Sequence, residues 1–117
     1  MNVNQILNTL QKEAQARSYF ICLDIIEQTT NLIKARLHIT TAFFVQIYRN
    51  DLFDTTNFVL IYNGQRIYGR DQLAGNWHLH TASSPSAHDT SEEGKRHVGL
   101  SEFLDEVETV ISKMDLP

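Results

Sequence analysis

The dipeptide Asn63-Gly64 narrows most what this chain can become. A two-residue hairpin loop of type I′ needs positive φ at both central positions, and Asn followed by Gly meets that need at low steric cost. The dipeptide sits between "NFVLIY" and "QRIYGR", both rich in β-branched and aromatic residues. The segment therefore predicts an antiparallel hairpin, and with it an antiparallel sheet. In an uninterrupted register, Ile61 lies opposite Arg66 and Val59 opposite Tyr68 on one face, while Leu60 faces Ile67 on the other. The first face is mixed in character. It predicts a groove, a dimer contact or a partly solvated surface with snorkelling arginines.

The preceding segments carry the sheet pattern upstream. "LIKARLHIT" alternates cleanly, with Ile33, Ala35, Leu37 and Ile39 on one side and Lys34, Arg36 and His38 on the other. "YFICLDIIEQ" and "AFFVQIYR" read as two more strands, and "WHLHT" as a short one. Two amphipathic stripes bracket them. Val3, Ile6, Leu7, Leu10 and Ala14 predict a first helix ending near Arg17. Leu100, Phe103, Leu104, Val107, Val110, Ile111 and Met114 predict a last one, with Ser101 as its expected cap and acidic residues at its positive end. Residues 1–117 make one domain. The expected fold is α+β: an N-terminal helix, an antiparallel meander of five or six strands, and a C-terminal helix, with both helices on the same face. "QLAGN" reads as a turn and "ASSPSAHDTSEEGKRHVG" as a long loop.

Ten Lys and Arg stand against fourteen Asp and Glu, for a net charge of −4, which disfavours non-specific binding to nucleic acid but leaves room for a local basic patch. Cys22 is the only cysteine, so no internal disulfide forms, and its apolar surroundings predict a buried thiol. The polar N-terminus lacks the pattern of a signal peptide and no apolar stretch spans a bilayer, so the expectation is a cytoplasmic protein with no membrane partner.

Three of the five histidines fall in "NWHLHTASSPSAH". An extended "WHLHT" presents His78 and His80 on one face and Trp77, Leu79 and Thr81 on the other. His88 follows beyond Pro85 and can turn back toward them. Two chemistries suit this pattern. The imidazoles can share a metal ion with Asp71 or Asp89, as a His-x-His site. Alternatively they act as acid and base, with Arg36, Arg66 or Arg70 stabilising a phosphate, in metal-independent RNA cleavage that needs no cofactor. Tyr68 and Trp77 are then candidate base platforms, although Trp77 equally reads as a core anchor. A non-catalytic binding or dimerisation module is the third reading.

The strand "LIKARLHIT", the stretch "NFVLIYNGQRIYGRDQLAGNWHLHT", the later histidine in "SPSAH" and the C-terminal helix together resemble the TumE-type small proteins of prokaryotic toxin–antitoxin pairs. The resemblance covers roughly residues 19–113. It carries over Arg36 on its strand, Arg70 and Asp71 after the hairpin, and His78, His80 and His88. Members of that family often carry Asp-Asn just after the hairpin, whereas this chain has Asp71-Gln72, with Asn76 following later. The resemblance implies a toxin-like protein with a protein antitoxin as partner. RNA as its substrate is an extension from how many small toxins act, and a homodimer is a further expected association.

Overall fold

A computed structural model of the chain describes residues 1–81 and 92–114, together with the backbone of residues 84–89. The elements run α1 (Val3–Ala16), β1 (Cys22–Gln28), β2 (Leu32–Thr40), β3 (Phe43–Asn50), β4 (Thr55–Tyr62), β5 (Gln65–Leu73), β6 (Asn76–Thr81), β7 (Ser84–Asp89), α2 (Glu92–Lys95) and α3 (Leu100–Lys113). The strands form one antiparallel sheet in sequence order, each paired with the next. This is the expected meander between two helices. Its last strand, β7, and the short α2 fall where the sequence reads as loop. Small and polar residues there carry no apolar alternation to mark a strand.

Asn63 and Gly64 have φ of 50° and 78°, as the hairpin requires. Ala74 and Gly75, at 50° and 85°, make a second two-residue turn of the same hand, so "QLAGN" is a tight hairpin joining β5 to β6. α1 opens on a capping box: Asn2 accepts from the Gln5 backbone and Gln5 returns the bond to Asn2. α3 opens instead on Gly99, and Ser101, the expected cap, lies inside the helix and donates to Glu13 of α1. Arg17, just past the end of α1, binds Glu13, Asp105 and Glu108 and so ties the two long helices together.

Both helices bury their stripes against one face of the sheet. Val3, Ile6 and Leu10 of α1 and Phe103, Leu104 and Val107 of α3 join Ile33, Ala35, Leu37, Val45, Ile47, Phe58 and Leu60 in a single core. The other face carries no helix among the described residues. Cys22 lies on the edge strand β1 and is exposed, not buried as its apolar neighbours suggest. Its register opposite His38 puts it on the helix-free face, and Ile25 and Ile26 of the same edge strand are open as well.

One irregularity decides which residues share a face. Ile61 pairs with Arg66 as expected, but Leu60 pairs with Tyr68 and Val59 with Gly69. Ile67 is the extra residue of a β-bulge, which adds one position to β5 and inverts the alternation beyond it.

Candidate functional site

On the open face, register places side chains in rows across the sheet. One row runs Arg36, Gln46, Val59, Gly69, His80, and the next runs Lys34, Tyr48, Asn57, Asp71, His78. The two histidines of β6 therefore stand two residues apart on the face that carries Asp71. The Nε2 of His80 lies 3.3 Å from Oδ1 of Asp71, and both residues are less than a tenth exposed. With Asp71 ionised, this contact places the proton of a neutral His80 on Nε2. On the opposite face Trp77 is buried, 5.2 Å edge-on from His97 and 6.3 Å from Phe58. The core thus grips the backbone of β6 through its tryptophan and fixes the imidazoles on the other side.

Gly69 faces His80 across the β5–β6 pair. A Cβ at this position would meet the Phe58 carbonyl oxygen at 3.1 Å and Val59 at 3.5 Å. Its absence leaves a small recess beside the imidazole, lined by Asn57, Val59, Arg66, Gly69 and His80 among others. Val59 closes the floor and is itself buried. Sequence reasoning passed over Gly69 and Asn57. A glycine in the interior of a strand marks a close approach of backbone or ligand, and that was the available signal for the first.

The bulge removes two expected members, Tyr68 and Arg70, from this face. Tyr68 points to the helices, stacks on Phe103 at 5.8 Å and donates a 2.7 Å hydrogen bond to Glu106. Burial, reinforced by that hydrogen bond, pushes its phenol up to about 12. It is not a base platform. Arg70 is 1% exposed on the same side, so it does not join the histidines. It donates from Nε to Glu106 at 2.8 Å, from Nη1 to the Glu93 carbonyl at 2.7 Å and from Nη2 to the Glu93 carboxylate at 2.8 Å. Burial works against its charge, but Glu106 and Glu93 hold its pKa above the ordinary value. Its task is to fasten α2 and α3 to β5. Arg70 and Asp71, adjacent in sequence, thus serve opposite faces. Trp77, buried in the core, is likewise an anchor and no platform.

Arg36 shares the open face with His80 but stands four strands away. At about 4.8 Å per strand this is about 19 Å, too far for both to meet one phosphate. Its Nε donates to Gln46 at 3.1 Å and its guanidinium lies 4.7 Å from the centre of the Phe44 ring. Arg66, in contrast, lines the recess with His80. The side chain of His88 lies outside the described residues. Among the described residues no three His, Cys, Asp or Glu side chains converge as a metal site would require, so the His-x-His pair alone does not form one.

What gathers on the open face is therefore a carboxylate–imidazole pair, a second imidazole on the same strand, and an arginine beside a recess the size of a single small group. This set can move protons and meet an anion. No described helix is long and apolar enough to cross a membrane. Compared with models of protein families, with curated proteins and with solved structures, the chain matches none.

Proposed function

We propose that the chain is a toxin-like, metal-independent ribonuclease that works from its open sheet face. The observation that carries this reading is the Asp71–His80 contact beside His78 and Arg66, held on a rigid strand by a buried tryptophan. One imidazole takes the proton from an RNA 2′-hydroxyl, and the resulting oxygen attacks the adjacent phosphorus. The bond to the 5′-oxygen breaks, and the other imidazole protonates that leaving oxygen. The products are a 2′,3′-cyclic phosphate and a 5′-hydroxyl. Arg66 meets the charge that builds on the phosphoryl oxygens. Asp71 orients His80 and keeps it in one tautomer. The resemblance to TumE-type proteins adds a protein antitoxin as the physiological partner.

The test is incubation of purified protein with single-stranded RNA in the presence of a chelator, with end-group analysis of the products. Cyclic phosphate ends are expected, with cleavage abolished by His80→Ala and His78→Ala and cut by one to two orders of magnitude in Asp71→Asn. Expression in bacteria should slow growth, and His80→Ala should relieve it. Intact RNA at any protein concentration, or full cleavage by His80→Ala, refutes the reading.

The burial of both Asp71 and His80 favours one other reading, in which their contact is a structural clip between β5 and β6 on a surface that binds without cutting. Under it, His80→Ala lowers stability and leaves RNA intact in every variant.

A further inference from the structure

The chain has six arginines. Arg17, Arg49, Arg70 and Arg96 each pair with carboxylates on the helix side or at the sheet end. Among the described residues, no carboxylate lies within ion-pair distance of Arg36 or Arg66. These two, and only these two, stand on the open face. An acidic protein has thus neutralised every arginine except the pair that shares a face with the histidines.

The space between them is also ordered. Arg66 faces Ile61, Ile61 faces Phe44, and Phe44 faces His38, in one row from β5 to β2. The Phe44 ring is 5.1 Å from the His38 ring and carries the Arg36 guanidinium at 4.7 Å. Lys34 follows Arg36 on the same side of β2. The far boundary is acidic: on the edge strand β1, Asp24 lies opposite Arg36 and Glu27 opposite Lys34. The remaining acid of the face among the described residues, Asp71, is engaged with His80. A track of cations and neighbouring rings therefore starts at the histidines, crosses three strand spacings, about 14 Å from Arg66 to β2, and stops at a negative edge.

We infer that this track is a binding path for single-stranded RNA, resting on the reading of the histidines as a ribonuclease site. Arg66 and Arg36 contact separate phosphates at the two ends of the path, Lys34 adds a third cation, and the Phe44–Arg36 pair receives a base. Stacking on aromatic rings and guanidinium planes is how flat sheet surfaces hold unpaired bases. An acidic peptide would use the same cations but gains nothing from a flat stacking surface. Arg36, too distant to act in the chemistry at His80, thereby acquires a substrate-binding role.

The experiment measures binding of a labelled single-stranded RNA of about eight nucleotides, a size within the range one small domain covers. It uses the full chain carrying His80→Ala, which holds the RNA without cutting it. Arg36→Ala and Phe44→Ala should each weaken binding about tenfold. The double variant Arg36→Ala/Arg66→Ala should also flatten the dependence of log affinity on log salt by about 1.4. Lys12→Ala, on the helix side, should change nothing. Phe44→Leu keeps the apolar cover and reports on stacking if Phe44→Ala is poorly folded. The inference is overturned if RNA does not bind, if the face variants bind it as tightly as the parent, or if they lose affinity for a poly-glutamate peptide and not for RNA. RNA that binds along the face but stays intact with the unmutated chain overturns only the ribonuclease reading. Cleavage that is lost with His80 but indifferent to Arg36 and Phe44 overturns only the path.

Discussion

Replacing Glu106 by alanine tests the claim that Arg70 is a structural fastener. One carboxylate accepts from Arg70 Nε at 2.8 Å, from the Tyr68 hydroxyl at 2.7 Å and from Arg96 Nη2 at 2.7 Å. Its removal leaves a guanidinium that is 1% exposed with only the Glu93 carbonyl and carboxylate, and takes the acceptor from Tyr68. Breaking a buried ion pair by removing one partner costs about 3–5 kcal/mol. Glu106 is itself 19% exposed at its side chain and Arg70 keeps two bonds, which places the expected loss at the low end, about 3 kcal/mol. Glu106→Gln keeps an acceptor oxygen and should cost about 1–2 kcal/mol. Arg70→Met removes the buried charge itself while Glu106 retains Tyr68 and Arg96, so about 1 kcal/mol is expected. Urea unfolding at constant m resolves these differences as midpoint shifts. Arg70→Met should also cleave RNA as the parent does. The reasoning fails if Glu106→Ala stays within about 0.5 kcal/mol of the parent, or if Arg70→Met is the costlier of the two. A folded Arg70→Met that no longer cuts RNA would return Arg70 to the site.

Gly69→Ala should cost about 1–3 kcal/mol, because its Cβ would crowd the Phe58 carbonyl at 3.1 Å; it should also fill the recess at His80, so that cleavage falls further than stability explains. At the alkaline end, burial first and the bonds to Glu108 and Glu106 second raise the phenols of Tyr19 and Tyr68 from 10.0 to about 12. The unfolded chain therefore releases these protons first, so their contribution is whole below pH 10 and is lost as the pH rises toward 12, which alkaline unfolding of Tyr68→Phe against the parent will register. At the acid end, Glu93 is held low by hydrogen bonds from Arg96 and then Arg70, and Glu108 by those from Tyr19 and then Arg17. Their stabilisation is present above the ordinary value of 4.5 and disappears as the pH falls below it; high salt should shrink this acid dependence. Cys22 should react with one equivalent of a thiol reagent in the native state as fast as in urea, and protection of the thiol in the folded protein would contradict its exposure.

The architecture was legible because its signals are local. The alternation of "LIKARLHIT", the Asn63-Gly64 turn and the two helical stripes each specify one element, and sequential antiparallel pairing follows from short links. The histidines were legible for the same reason, since period two alone puts His78 and His80 together opposite Trp77. Arg70 and Tyr68 were misplaced because their orientation depends on Ile67, a residue of good strand character that nothing in the local pattern marks as extra. Arg36 was placed on the correct face but credited with a reach that only the order of the strands can measure. Cys22 looked buried because its neighbours are apolar, but its register opposite His38 turns it to the face that no helix covers, and which face a helix covers is a tertiary property. β7 was missed because "SPSAHD" has no apolar period.

The bulge at Ile67 acts as a parity bit for the second half of the sheet. Hairpin pairing propagates parity from strand to strand, so the one extra residue in β5 also dictates β6, where Asp71 meets His78 and Gly69 meets His80. Deleting Ile67 would present Tyr68 and Arg70 outward and turn Gly69 and Asp71 inward, and β6 could follow only by exposing its tryptophan and sinking both histidines into the core. Composition, charge and hydrophobic content would hardly change, yet the molecule would be turned inside out from Tyr68 onward. Length between the Asn63-Gly64 turn and Asp71 is therefore a conserved quantity of this design in a sense that residue identity is not. Chains built on the same plan should tolerate substitution at position 67 and reject single insertions or deletions there, while accepting changes of two residues, which restore the count.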